Sequence, residues 1–230
     1  ILKERKRVII NFLIIIQGYI MSIDRKINRI QFLTGNSLKF IAVLTMVIDH
    51  LCKIVLQWLL SNYWGSMVDN EQMSWERFQE IDNLIRFDLQ SIGTIAFPLF
   101  CFLLAEGFQH TRSKKRYIGL MLAFALISEI PFDIGFFSAY SRMEGTFPFY
   151  LKYQNVFFTL FLGLLTLVCL ERFSCESDLP VDRIKSVVLQ VLSVVLFSSI
   201  AEGIRCDYGM QGILFISAFY ICRNHRIYQV

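Results

Sequence analysis

The stretch LKFIAVLTMVIDHLCKIVLQWLL, Leu38 to Leu60, decides how the whole chain is read. As a helix it spans about 34 Å, enough to cross a hydrocarbon core about 30 Å thick. Asp49, His50 and Lys53 interrupt it near its middle. A charged side chain in hydrocarbon costs about 2.5–3.5 kcal/mol on insertion scales, so such residues face a bundle interior and mark a site or a pathway. The chemistry is therefore sought around Asp49 and His50.

Outward from that stretch, the composition agrees. The 230 residues are 55% hydrophobic and 15% aromatic, with 22 Phe and only four Pro, and the mean hydropathy is +0.50. Apolar runs separated by charged loops predict an all-α, polytopic membrane bundle rather than a soluble domain. Six spans are expected, at about 38–60, 90–108, 117–137, 155–170, 186–203 and 208–222, with the third broken by Pro131. The formal charge of +4 is modest and is no nucleic-acid signature. Its placement is more informative: Arg25, Lys26 and Arg29, then Arg112, Lys114, Lys115 and Arg116, then Arg172, Arg183 and Lys185, and finally Arg223 and Arg226 fall at alternate span ends. These ends are expected in the cytoplasm, with both termini on that side of a bacterial-type cytoplasmic membrane. The acidic segment from Ser61 to Leu89 is expected outside, and Trp64 and Trp75 suggest a short interfacial helix there.

Residues 1–33 read as a basic and apolar extension, resembling a weak signal sequence or an interfacial helix, ahead of one membrane domain over 34–230. The six cysteines show no C-x-x-C spacing, and four of them fall in apolar spans. Neither a disulfide framework nor a metal site is expected. No nucleotide-binding or hydrolase fingerprint occurs in a usable context.

Helix geometry then sorts the ionisable groups. Lys39 precedes His50 by eleven residues, about 16.5 Å along the axis and about 20° round it, so both point into one groove. A cation at the membrane face and an imidazole at mid-depth suit an amphipathic donor held by its phosphates at one end and reacting at the other. Asp49 lies about 100° from His50, and Lys53, four residues on, is its expected partner. The plain alternative is a structural ion pair that joins helices, with His50 bonded to a neighbour. Arg112, Lys114 and Lys115 either bind donor phosphates or are simply the basic loop of an inward-facing end. Glu106 and His110, spaced i, i+4, are either part of that site or a surface pair. Glu129, Asp133, Gln154, Asn155 and Asp207 gather toward the outer half, as a pocket for a cationic or hydroxylated acceptor requires; helix capping by Asn155 and interfacial placement of the carboxylates is the alternative.

An ordered series of motifs resembles the TraX family of membrane proteins over about Thr34 to Arg223. The series comprises Leu38-Lys39-Phe40-Ile41-Ala42 with Ile48-Asp49-His50, Ile92-Gly93-Thr94 leading to Phe97-Pro98, Glu106-Gly107-Phe108 with His110-Thr111-Arg112, Ser128-Glu129-Ile130-Pro131-Phe132-Asp133, Gln154-Asn155-Val156-Phe157-Phe158-Thr159 and Asp207-Tyr208-Gly209. The resemblance implies an acetylase, since the family's namesake acetylates the N-terminal amine of pilin in conjugative pilus biogenesis. The family is also similar to larger membrane acyltransferases fed by cytoplasmic acyl-CoA, whose basic residue, ten intervening residues and histidine match Lys39 and His50. Relatives continue beyond the sixth span, which implies a C-terminally shortened member.

The expected function is thus acyl transfer, from acetyl-CoA as co-substrate with no bound cofactor, to a protein N-terminus or a glycan hydroxyl. His50 and Asp49 are the expected catalytic pair, with Lys39, Arg112, Lys114 and Lys115 on the donor and Glu129, Asp133, Gln154, Asn155 and Asp207 on the acceptor. A proton-coupled transporter, with Asp49, His50, Glu129 and Glu202 as its relay, and a non-catalytic assembly factor are the rival expectations.

Overall fold

The computed structural model describes residues 35–70, 72–85, 90–175 and 179–224, and among these the chain is helical. The expected interfacial extension over residues 1–33 lies outside the described residues. Helix α1, Gly35–Asp69, carries the deciding stretch. Its buried positions Ala42, Thr45 and Asp49 recur at helical spacing, while Phe40, Val43, Leu44 and Val47 face outward. From Leu51 to Leu56 the helix widens to π-type turns, directly after His50.

Beyond α1, Ser74 caps a short helix α2, Trp75–Asn83, by accepting from the Arg77 backbone N–H at 3.3 Å. This is the short helix expected near Trp75. One turn, Gln90–Gly93, leads into α3, Ala96–His110. Helix α4, Lys114–Glu144, runs unbroken through Pro131, which corrects the expected break. Proline removes one hydrogen bond, but within a packed membrane helix the neighbours re-satisfy what it frees. Then come α5, Val156–Arg172, α6, Pro180–Gly203, and α7, Gly209–Ile221.

Among the described residues, four helical segments are long and apolar enough to cross a membrane: α1, Ser91–His110 containing α3, α4 and α6. The shorter α5 and α7, of 17 and 13 residues, form the centre. Leu160, Leu164 and Leu167 of α5 pack with Ile216 and Tyr220 of α7 and with Phe97, Leu104 and Phe108 of α3. Gly163 lets α5 approach α7 closely, because a Cβ there would collide with Ile216. The outer face of α6 instead shows an apolar stripe, Ile184, Val187, Val188, Val191, Leu192 and Val195, all exposed. An exposed stripe of that kind on a long helix is a lipid-facing surface.

Both ends of the bundle are tied. At one end Lys114 pairs with Glu171, the Ser186 hydroxyl donates to the Phe173 carbonyl at 2.6 Å, and Phe108 meets Tyr220 edge to face at 5.8 Å. At the other end the α4–α5 and α6–α7 loops join: the Gln154 N–H donates to the Arg205 carbonyl at 3.1 Å and the Asp207 N–H to the Gln154 carbonyl at 2.9 Å. On that rim Lys152 donates to Glu144 at 2.6 Å, and the carboxylate holds its ammonium above the ordinary lysine range. Because α1 packs along α3 and its Asp49 touches Gly93 at the start of that segment, α1 begins at the Lys114 end.

Candidate functional site

Asp49, His50 and Lys53 share the inner side of α1. Lys53 Nζ donates to Asp49 Oδ2 at 2.8 Å, the pairing expected from their spacing. His50 Nδ1 lies 3.9 Å from the same oxygen, too far for a hydrogen bond. Instead it lies 2.9 Å from the Met46 carbonyl oxygen. A carbonyl only accepts, so Nδ1 carries the proton and the neutral ring keeps its lone pair on Nε2. Phe136 of α4 stands edge-on to the ring at 5.7 Å, and 45% of the His50 side chain is exposed. His50 lines a cavity.

The cavity has two joined chambers that share Asp49, His50, Phe132, Phe136 and Asp207. The larger, about 350 Å³, extends toward Met46, Phe100, Ser128 and Phe157 and is mostly apolar, with Ser128, Asn155 and Tyr208 as polar lining beside the shared Asp49, His50 and Asp207. The smaller, about 230 Å³, adds Lys53, Phe137 and Tyr153, and so holds two carboxylates and one ammonium among aromatic rings. His50 stands where they meet.

Asp207 reaches this point by a constrained turn. Its carbonyl accepts from the Thr159 hydroxyl and its carboxylate accepts from the Tyr153 hydroxyl at 3.2 Å. Tyr208 next to it is left-handed, with φ 62°, and its ring stacks on Phe97 with centroids 3.6 Å apart. A strained non-glycine backbone held by stacking is an expensive way to aim one side chain, and such strain concentrates at functional sites.

Asp49, His50, Asn155 and Asp207 are thus brought together from the residues expected in the site. The others lie elsewhere. Glu129 and Asp133 are buried behind the cavity wall, where Glu129 Oε2 accepts from the Asn155 backbone N–H and side-chain amide and Asp133 Oδ2 accepts from the Tyr150 N–H at 2.7 Å. Gln154 belongs to the rim formed by the α4–α5 and α6–α7 loops, with Lys152 and Arg205. Lys39, Arg112 and Lys115 are exposed, whereas Lys114 is engaged by Glu171 and lies over the Phe108 ring at 4.7 Å. Glu106 and His110 approach to 3.5 Å. Glu202 closes α6, where its Oε2 accepts from the Met210 N–H at 3.3 Å.

Sequence reasoning missed Tyr153 and the aromatic wall of Phe132, Phe136 and Phe137. The i, i+4 spacing of Phe132 and Phe136, beginning one residue after Pro131, was the available signal.

Asn155 is 2% exposed, and it joins three elements. Its Oδ1 accepts from the Phe157 N–H at 2.9 Å and its Nδ2 donates to the Ala125 carbonyl at 2.8 Å as well as to Glu129. Asn155→Ala is expected to cost about 1–3 kcal/mol, since it removes a helix cap and leaves a buried carboxylate short of donors. A fall in the unfolding midpoint in detergent checks this, and an unchanged midpoint counts against it.

A probable fimbrial assembly protein FimC, serogroup H1, from Dichelobacter nodosus is 30% identical over 180 residues, which are 77% of this chain and 58% of that protein. The chain therefore spans little more than half of that relative's length. No solved structure matches it. The pattern of the TraX protein family matches residues 34–229, all of the bundle described above. With four helices among the described residues long and apolar enough to span a bilayer, the chain is an integral membrane protein, and it belongs to the TraX family.

Proposed function

We propose that this chain is a membrane acyltransferase of pilus or fimbrial biogenesis, moving an acyl group from acyl-CoA to an amine or hydroxyl. The family and the fimbrial-assembly relative support the setting. The observation that carries the chemistry is that His50, its Nδ1 turned to the Met46 carbonyl, lines both a mostly apolar and a charged chamber. A donor thioester occupies one chamber and the acceptor the other. Nε2 takes the proton of the acceptor N–H or O–H as that atom bonds to the thioester carbonyl carbon. The carbon–sulfur bond then breaks, and the leaving thiolate takes the proton back from Nε2.

Asp49, paired with Lys53, acts electrostatically on the ring rather than by bonding it. Asp207 and Tyr153 line the acceptor side. The CoA phosphates arrive at the end of the bundle where α1 and α4 begin, close to Lys39, Arg112 and Lys115; that end faces the cytoplasm of an inner membrane. Acetyl-CoA is the donor that the family resemblance implies.

Calorimetric titration of the purified chain with acetyl-CoA tests the reading. Binding is expected, and Lys39→Ala should weaken it about tenfold, the worth of one charge-assisted contact. A non-catalytic assembly factor, the reading that the relative's name favours, predicts no binding.

A further inference from the structure

A donor whose phosphates sit near Lys39 must thread its arm past the floor of the larger chamber to bring a thioester to His50. At that floor, the lining residue nearest the Lys114 end of the bundle is Met46 on α1, Phe100 on α3, Ser128 on α4 and Phe157 on α5. Ser128 alone of the four has a polar side chain. Asp207 and Tyr208 also line the chamber, but they precede α7 at the opposite end, beside the α6–α7 loop.

The Ser128 hydroxyl is also unspent. A helical serine or threonine ordinarily donates to the carbonyl one turn back. Thr45, Thr166 and Ser193 do so here, at 2.9, 2.9 and 2.8 Å. Ser128 makes no such bond and has no hydrogen-bond partner among the described residues, while its half-buried side chain lines the chamber. Its polar neighbours are committed: Asp49 to Lys53, Asp207 to Tyr153, and Asn155 to Phe157, Ala125 and Glu129. A free donor on a mostly apolar wall is matched by a ligand that brings an acceptor to it.

A pantetheine arm brings acceptors. It carries two amides, and each carbonyl drawn into an apolar corridor needs a donor to offset the water it loses. Ser128 precedes Phe136 by eight residues, about 12 Å along α4, and the Phe136 ring meets His50. Met46 on the facing helix precedes His50 by four residues, about 6 Å. The hydroxyl is therefore below His50 on the donor side, at a depth that an arm with its thioester beside the imidazole passes.

We infer that Ser128 is a donor-binding residue, whose hydroxyl donates to an amide carbonyl of the pantetheine arm in the larger chamber and so fixes the depth at which the thioester meets His50. The inference rests on the reading of this site as an acyl-CoA-dependent transfer centre.

The full chain in nanodiscs, loaded with radiolabelled acetyl-CoA and displaced by S-acetylpantetheine or by S-octyl thioacetate, supplies the test. The first probe carries the arm's amides and the second carries none. Ser128→Ala is expected to weaken acetyl-CoA and S-acetylpantetheine alike by about three- to tenfold, the worth of one neutral hydrogen bond, and to leave S-octyl thioacetate as in the wild type. The unfolding midpoint should not fall, since the hydroxyl holds no other residue. Unchanged affinity for S-acetylpantetheine overturns the inference and leaves the acyltransferase reading intact. Equal weakening of both probes overturns it too, because a change of chamber shape rather than a lost hydrogen bond would then be at work, and a lowered midpoint does the same by giving Ser128 a part in the fold. A wild-type chain that binds no acetyl-CoA at all overturns this inference and the acyltransferase reading together.

Discussion

His50→Ala is expected to slow acyl transfer by about 10²–10⁴-fold, the usual worth of a positioned proton acceptor. Folding should survive it. The ring's hydrogen bond is to the Met46 carbonyl one turn back on its own helix, and 45% of the side chain is exposed. Neither removing that bond nor opening the cavity further strips a hydrogen bond from another helix, and the edge-on contact with Phe136 of α4 is a minor loss. Donor binding should also persist, because Lys39 lies about 16.5 Å away along α1. A falling turnover number with an unchanged unfolding midpoint and unchanged acetyl-CoA affinity is the signature. A structural role for His50 predicts the reverse, with stability lost and any transfer retained.

Gly93→Ala is the second large effect, and it acts on stability first. A Cβ at residue 93 would lie 2.6 Å from Asp49 Oδ1 and closer still to the Asp49 Cβ. The Cβ of Asp49 belongs to the root of its side chain, so α1 or the Gln90–Gly93 turn must move as a unit. Overpacking of this kind costs about 1–3 kcal/mol. Moving Asp49 also breaks its 2.8 Å contact with Lys53 and leaves an ammonium in the cavity without its carboxylate. A lowered midpoint together with weaker transfer is expected, and a midpoint equal to the wild type would contradict the packing described.

Much of the bundle was legible because hydrophobic length and local spacing are properties of short stretches. The apolar run ending at Leu60 gave α1, and the spacing of Asp49 and Lys53 gave their ion pair directly. The end of α5 and the start of α6 moved by a few residues, since caps and last turns carry weak signals. Pro131 misled because its local rule assumes an isolated helix, whereas α4 packs against α5 and continues through it.

Long-range partnerships were the illegible part. Nothing near Lys114 in sequence announces Glu171, 57 residues on, yet that contact decides whether Lys114 is available to a phosphate. Glu129 and Asp133 carry the right chemistry for an acceptor pocket, but their partners Asn155 and Tyr150 come from a loop whose path no periodicity reports. Asp207 lines the same cavity as His50 for a reason its neighbours in sequence do not carry. Its place beside His50 follows from the left-handed turn at Tyr208 and the stacking on Phe97, neither of which hydropathy encodes.

The most direct measurement is the fate of the label when the purified wild-type chain in nanodiscs meets labelled acetyl-CoA, a free-amine peptide and a hydroxyl-bearing glycan. The account predicts that the labelled acyl group leaves CoA and appears covalently on one of these acceptors. Intact acetyl-CoA, with solute or proton flux through the same nanodisc protein reconstituted into liposomes, would contradict it and make Asp49 and His50 parts of a transport path.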